Sequence, residues 1–309
     1  MSNPRMKYDF RRYLSSKRSI EARGLNHDVW MQMSEMVNQL EGQVRVIELG
    51  AGIGSMALRF LESGLFHEAS YTLVEKEAVY LDEARGSLKS AAKKMGYQIN
   101  DSQKGKLDLI GEKAKVSFHF AASDVNVYFE DQTQRGSVDL LVAHAFLDLL
   151  NLDRALAKMF GALRSGGLFY FPINFDGLTS FEPQIDESFE AELLALYHRT
   201  MDERMVDGLS SGDSRTGRHL FSAVEAAGGS VIAAGSSDWV VFPQRGRYIE
   251  DEAYFLYYIL HTIESALSGH PELDAARLKK WLSARREQVE KAELSFIAHQ
   301  LDIFGRKLD

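Results

Sequence analysis

Val44-Arg45-Val46-Ile47-Glu48-Leu49-Gly50-Ala51-Gly52-Ile53-Gly54-Ser55-Met56-Ala57-Leu58 is the stretch of sequence that decides the fold. Val44 to Leu49 is a short apolar run broken only by Arg45 and Glu48, and it ends in Gly-Ala-Gly-Ile-Gly. From Ser55 to Leu61 the apolar residues resume a helical spacing. Glycines that interrupt an apolar pattern mark a turn, so the unit reads as strand, glycine turn, helix.

Further short apolar runs follow at Tyr71 to Val74, Val116 to Ala121, Val138 to Ala143 and Gly167 to Phe171. Helix-length segments such as Glu77 to Met95 and Leu152 to Leu163 separate them. Strands alternating with helices predict right-handed crossovers and a mostly parallel sheet with helices on both faces, an α/β architecture. Pro172 has no N–H to give a ladder, which places it where its strand exits at the C-terminal end.

Outside this region the pattern changes. Tyr8 to Leu40 reads as helical, with Trp30, Met33, Met36, Val37 and Leu40 on one stripe. Asp176 to Ser214 is polar and mixed; Thr216 to Ala227 is helical and stops at Gly228 and Gly229; Ser230 to Phe242 contains strand-like runs. Two long amphipathic segments come next. Glu252 to Leu267 carries Phe255, Ile259, Leu260 and Ile263, and Leu273 to Ala292 carries Leu278, Trp281, Leu282 and Val289. Leu294 to Phe304 reads as a last strand, which makes those two helices an insertion before it. The expected division is a helical N-terminal cap at 1–43, a core at 44–175, an insertion with a helix and strand completing the sheet at 176–249, and a helical insertion with the last strand at 250–309.

Composition narrows the chemistry. Among 309 residues there is no cysteine, which removes disulfides, thiolate metal sites and cysteine nucleophiles. Lys and Arg number 36 against 44 Asp and Glu, a net charge of −8, and the pI is near 5.7. A nucleic-acid reader with a broad basic surface is therefore not expected. One segment runs against that balance: Arg11, Arg12, Lys17, Arg18 and Arg23 form a basic N-terminal stretch that reads as a solvated helix face, or as a contact for a cofactor carboxylate, an anionic substrate or RNA. No run of 18 apolar residues predicts a membrane span, and no apolar leader precedes Asp9, so a cytoplasmic location is the default expectation. The nine histidines show no HExxH spacing, and no metal is expected.

The glycine turn is the chemical centre of the sequence. Gly52-x-Gly54-x-x-Ala57 satisfies a dinucleotide pattern, because glycines let the backbone approach a ligand and the following helix start presents free N–H groups. Glu48 decides between two cofactor classes. A carboxylate beside the turn repels a pyrophosphate, whereas it attracts the positive amino group of an aminoacyl sulfonium. The turn therefore favours S-adenosylmethionine over NAD.

With Glu48-Leu49-Gly50-Ala51-Gly52-Ile53-Gly54 in place, the sequence resembles the class I S-adenosylmethionine-dependent methyltransferases, whose first motif is acid-x-Gly-x-Gly-x-Gly after strand one. The likeness extends to Glu75, which ends the second strand, to Ser123-Asp124 after the third, to His144-Ala145-Phe146-Leu147-Asp148 after the fourth and to Leu163-Arg164-Ser165-Gly166-Gly167 before the fifth. It covers roughly Val44 to Phe175. The resemblance implies a seven-stranded sheet in the order 3-2-1-4-5-7-6 with the seventh strand antiparallel, here Leu294 to Phe304. It implies a Rossmann-like fold, that Glu48, Gly50, Ala51, Gly52 and Gly54 line the cofactor, that Glu75, with Lys76 beside it, holds the ribose hydroxyls, and that Ser123 and Asp124 contact the adenine amino group. His144 is implied either to pack beside the cofactor or to act as a general base.

Two branches of that family do not fit. Ala143-His144-Ala145-Phe146 stands where nucleic-acid amino methylases carry Asn/Asp-Pro-Pro-aromatic, and His144 stands where magnesium-dependent members carry acids. The expected activity is methyl transfer to an oxygen or nitrogen of a small-molecule acceptor, with the helical additions enclosing the site, no nucleic acid, no membrane and a monomer or homodimer. An RNA methyltransferase using the basic N-terminus, a binding module that senses the cofactor and a NAD enzyme are the alternatives. Tyr254, Tyr257 and Tyr258 share one helical face, as core or as an aromatic substrate pocket.

Overall fold

The computed structural model describes residues 7–130, 135–206 and 208–309. In chain order the elements are α1 (Phe10–Ser16), α2 (Arg18–Gly24), α3 (His27–Asn38), β1 (Val44–Leu49), α4 (Ser55–Ser63), β2 (Glu68–Glu75), α5 (Ala78–Lys94), β3 (Gln98–Asn100), β4 (Lys106–Ile110), β5 (Lys115–Ala122), α6 (Val125–Tyr128), β6 (Val138–Ala143) and α7 (Leu152–Ala162). There follow β7 (Leu163–Glu182), α8 (Glu187–Asp202), β8 (Met205–Val206), β9 (Leu209–Ser210), α9 (Thr216–Ala226), β10 (Gly229–Ser236), β11 (Trp239–Val241), α10 (Glu252–Leu267), α11 (Ala275–Glu290) and β12 (Ser295–Lys307). The chain divides into two compact units.

The larger unit comprises 25–176, 215–237 and 300–309. Its sheet has the order β10-β12-β7-β6-β1-β2-β5-β4-β3. β1, β2, β5, β6 and β7 run parallel where they pair, and β12 pairs antiparallel with β10. Lys307 Nζ bonds Leu163 O at 2.9 Å and Ile173 N bonds Asp302 Oδ1 at 2.8 Å, so β7 and β12 also run in opposite directions. The seven expected strands are all present in the order 3-2-1-4-5-7-6. A short antiparallel pair, β3 and β4, extends the β5 edge beyond them.

Period-two alternation sorts the strand residues between the two faces. Ile47 and Leu49 join Leu141, Ala143, Leu156, Phe160, Phe169, Leu220 and Val224 in the core under α7 and α9. On the other face Tyr71 packs against Phe60, Phe66 and Phe118, and Trp30 of α3 lies 5.2 Å from Phe60. α3 therefore belongs to the sheet unit, although the sequence groups it with residues 1–43.

Three boundaries differ from expectation. The helical stretch from Tyr8 to Leu40 is three helices, because the Asp9 side chain caps α1 through Arg12 N and the Asn26 side chain caps α3 through Val29 N. β7 continues past Pro172 to Glu182. The proline is tolerated there because the last β6–β7 pair is Val142 with Tyr170, so Pro172 lies beyond its neighbour's end, and its carbonyl accepts from Ala145 N at 3.0 Å. The mixed segment after Asp176 holds a helix, α8, whose buried Phe189, Leu193, Leu196 and Tyr197 follow a helical spacing behind an Asp186 cap.

The smaller unit comprises the described residues of 7–24, 177–214 and 238–299. β11 pairs antiparallel with the start of β12 there. Tyr258 stacks on Tyr13 at 4.3 Å, Tyr254 exchanges hydrogen bonds with the Asp9 backbone, and Arg12 lies 3.9 Å over the Tyr254 ring. The tyrosine face of α10 is thus packing for α1. Arg285 is fully buried, donates to Pro183 O and Gln288 Oε1 at 2.7 Å, and pairs with Glu190, which also accepts from Trp281 Nε1 at 2.7 Å. The basic stretch is largely engaged internally: Arg12 with Asp251, Lys17 with Glu21 and Arg23 with Glu252. No helix among the described residues is long and apolar enough to cross a membrane.

Candidate functional site

Parallel registers bring the strand ends level. Leu49 pairs with Val74 and with Ala143, and Glu75 pairs with Ala122, so the residues after β1, β2, β5 and β6 share one sheet edge. That edge gathers Gly50 to Gly54, Glu75 and Lys76, Ser123 and Asp124, and His144.

The glycine turn is shaped by its surroundings. Gly50, Gly52 and Gly54 all have positive φ, at 61°, 50° and 75°, where an L side chain is strained. Two of them are also filled from outside. A Cβ on Gly50 would fall 2.2 Å from Phe146 Cδ2, and a Cβ on Gly54 would fall 2.7 Å from Ala84 Cβ. Gly52 N donates to Glu75 Oε2 at 2.9 Å, while Glu75 Oε1 accepts from Glu77 N at 3.0 Å, so the half-buried carboxylate is oriented from both sides. Ser123 N reaches Glu75 O at 3.0 Å, which ties the end of β5 to the end of β2.

Glu48 occupies a different place from the one its sequence position suggests. The side chain is 1% exposed and accepts the Tyr71 hydroxyl at 2.8 Å and the backbone N–H of Ala57. Ala57 lies in the first turn of α4, whose N-cap, Gly54, has no side chain to offer. Glu48 therefore caps α4 from beneath. Burial pushes its carboxyl up to about 8, against the lowering effect of its two donors, and pushes the Tyr71 hydroxyl well above its ordinary value.

Asp124 caps α6 through Asn126 N at 2.8 Å, and the exposed Lys76 ammonium stands 4.0 Å from it. His144 is half-buried at the end of β6. Ala145, the next residue, has φ 49°, held by the bond from its N–H to Pro172 O. Ile173, which follows Pro172, has φ 58° and gives its N–H to Asp302. Asp302 is fully buried, and burial raises its carboxyl above the usual range while Ile173 N and Asn26 N oppose the rise. Two non-glycine residues in the left-handed region, one of them β-branched, are costly and concentrate at functional edges.

No protein-family model matches the sequence, and no curated protein does. Solved structures are similar at low identity. A SAM-dependent methyltransferase from Thiobacillus denitrificans, in complex with S-adenosyl-L-homocysteine, aligns over 98% of this chain and 99% of its own, with 12% identity and a TM-score of 0.45. A SAM-dependent methyltransferase from Methanosarcina mazei aligns over 89% and 97%, with 14% identity and a TM-score of 0.43. A geranyl diphosphate C-methyltransferase from Streptomyces coelicolor A3(2) aligns over 91% and 77%, with 11% identity and a TM-score of 0.41. At such values the functional reading has to come from this chain's own side chains.

Tyr71, Phe146 and Asp302 are the residues that sequence reading leaves without a role at this edge. Tyr71 and Asp302 become visible only through strand register. Phe146 carried a signal, being aromatic three residues after a strand end. Among the described residues no group of three His, Asp or Glu side chains is arranged to hold a metal ion.

Proposed function

We propose that this chain is an S-adenosylmethionine-dependent methyltransferase acting on an oxygen or nitrogen of a small-molecule acceptor, with the cofactor held at the edge formed by Gly50–Gly54, Glu75, Asp124 and His144. The single observation that carries the cofactor reading is Glu48. Its carboxyl takes the Ala57 N–H at the start of α4, the place where a dinucleotide turn receives a pyrophosphate. An anion there would find the Ala57 N–H already taken by Glu48 and would meet the Glu75 carboxylate beside it, and among the residues expected at the site only Lys76 is cationic. A neutral ribose and a cationic sulfonium face no such repulsion.

The residues present fit that group. Glu75 keeps lone pairs beyond its two backbone bonds and can accept both hydroxyls of a ribose diol. Ser123 and Asp124 stand one strand away for the adenine amino group, and the Gly50-Ala51-Gly52 backbone admits an aminoacyl chain closely. When bound, S-adenosylmethionine supplies an electrophilic methyl group. The protein's part is then to position the acceptor and, for a hydroxyl or protonated amine, to take a proton. His144 is the group we propose for that transfer.

The RNA reading gains no support from the N-terminus, because Arg12, Lys17 and Arg23 are engaged in ion pairs within the smaller unit. Incubation of the protein with methyl-labelled S-adenosylmethionine and fractionated metabolites tests the activity. Label should pass to a small molecule and should do so far less with His144→Ala. Cofactor binding without transfer to any fraction would instead make the chain a sensing module.

A further inference from the structure

β1 and β6 are neighbours, but the chain leaves them in opposite directions, from β1 to β2 and from β6 to β7. Where strand order reverses in this way, a crevice opens beyond the carboxyl ends of the two strands. One wall is the glycine turn. The other is His144-Ala145-Phe146, and the Phe146 ring leans across onto the turn, with Cδ2, Cγ and Cε2 at 2.2, 2.4 and 2.7 Å from where a Gly50 Cβ would stand.

The ring is half-buried, and its backbone is held there by a short chain of constraints: Asp302 on Ile173 N, and Pro172 O on Ala145 N, with both strained residues included. An aromatic face attracts a cation within roughly 6 Å of its centroid. Among the described residues no lysine or arginine stands over this ring, which packs in part against the apolar core under α7 and α9.

We propose that Phe146 is the cation-recognising surface of the crevice, and that it makes the site prefer the positively charged sulfonium of S-adenosylmethionine over the neutral thioether of S-adenosylhomocysteine. This rests on the reading of the edge as a site for that cofactor. The ribose proposed at Glu75 lies next to Gly52, and the sulfur joins the ribose to the aminoacyl chain, so its charge falls along the stretch the ring covers. Loss of the charge on methyl transfer removes the attraction, which weakens the grip on the product and favours exchange.

The test is calorimetric titration of both ligands into wild type, Phe146→Leu and Phe146→Trp. Phe146→Leu should weaken S-adenosylmethionine binding about tenfold and leave S-adenosylhomocysteine within about twofold, while Phe146→Trp keeps the preference. Should Phe146→Leu fail to fold, fluorinated phenylalanines at position 146 keep the shape and drain the ring's negative face; affinity for the sulfonium should then fall stepwise with fluorine number, with the thioether unaffected. Equal weakening of both ligands, or no change in either, overturns the proposal and leaves the site reading intact. Failure of wild type to bind either ligand overturns both.

Discussion

The Glu48 carboxyl accepts the Tyr71 hydroxyl at 2.8 Å, and both side chains are sealed beneath the glycine turn, 1% and 0% exposed. This contact joins β1 to β2 on the α4 face and keeps a titratable group in an apolar setting. Because burial pushes the folded carboxyl up to about 8 from an ordinary value of 4.5, the native state holds a proton that the unfolded chain has released between those values. Stability from this group is present below the unfolded value and is lost as pH rises towards 8, at about 1.4 kcal/mol per pH unit. Glu48→Gln should remove that slope. Denaturant melts of both proteins from pH 5 to 9 check it; parallel curves would show that Glu48 is already ionised in the native state.

The glycine turn should be intolerant for two separable reasons. Gly50→Ala and Gly54→Ala combine a positive φ with a collision, against Phe146 and Ala84, and should cost about 2–5 kcal/mol. Gly64→Ala has a φ of 66° but meets nothing within 4 Å, so it should lose only about 1–2 kcal/mol. Equal losses for all three in chemical denaturation would mean that the ring and the helix give way freely.

Much of this was legible in the sequence, and the limits have physical causes. The turn, the parallel strands and the acids at their ends follow from period, glycine placement and spacing, which are local. The alternation of Ile47 and Leu49 against Val46 and Glu48 also tells that Glu48 faces away from the α7 core. What it faces does not follow, since Tyr71 sits opposite only through the β1–β2 register. Glycine placement shows that Gly50 needs a left-handed backbone but not that Phe146 fills its side-chain space, which depends on the β6 loop. The length of β7 was hidden by Pro172, whose cost vanishes because β6 has already ended. The spacing that marks α8, at Phe189, Leu193, Leu196 and Tyr197, was present but set among acids that disguised it.

The smaller unit carries its own test. Glu190→Leu leaves the fully buried Arg285 charge without its carboxylate and should destabilise by about 3–5 kcal/mol. Glu190→Leu combined with Arg285→Leu removes both charges and should recover part of that loss, as read by thermal unfolding. A double variant no better than the single one would mean that the charge pair is not the source of the cost.

Glu75 separates binding from stability. Its carboxylate is half-buried, and its two bonds are to Gly52 N and Glu77 N, so Glu75→Ala should move the melting temperature by only a few degrees while weakening S-adenosylhomocysteine about tenfold or more. Unchanged affinity would remove Glu75 from the cofactor site.

Thermal shift with S-adenosylhomocysteine against NAD asks whether the edge after β1, β2, β5 and β6 takes S-adenosylmethionine or a dinucleotide, because a ligand of the folded state raises the melting temperature by an amount that grows with the logarithm of its concentration over its Kd. A rise with S-adenosylhomocysteine that is lost in Glu75→Ala, and none with NAD, is expected. Stabilisation by NAD with no response to S-adenosylhomocysteine would contradict the S-adenosylmethionine assignment.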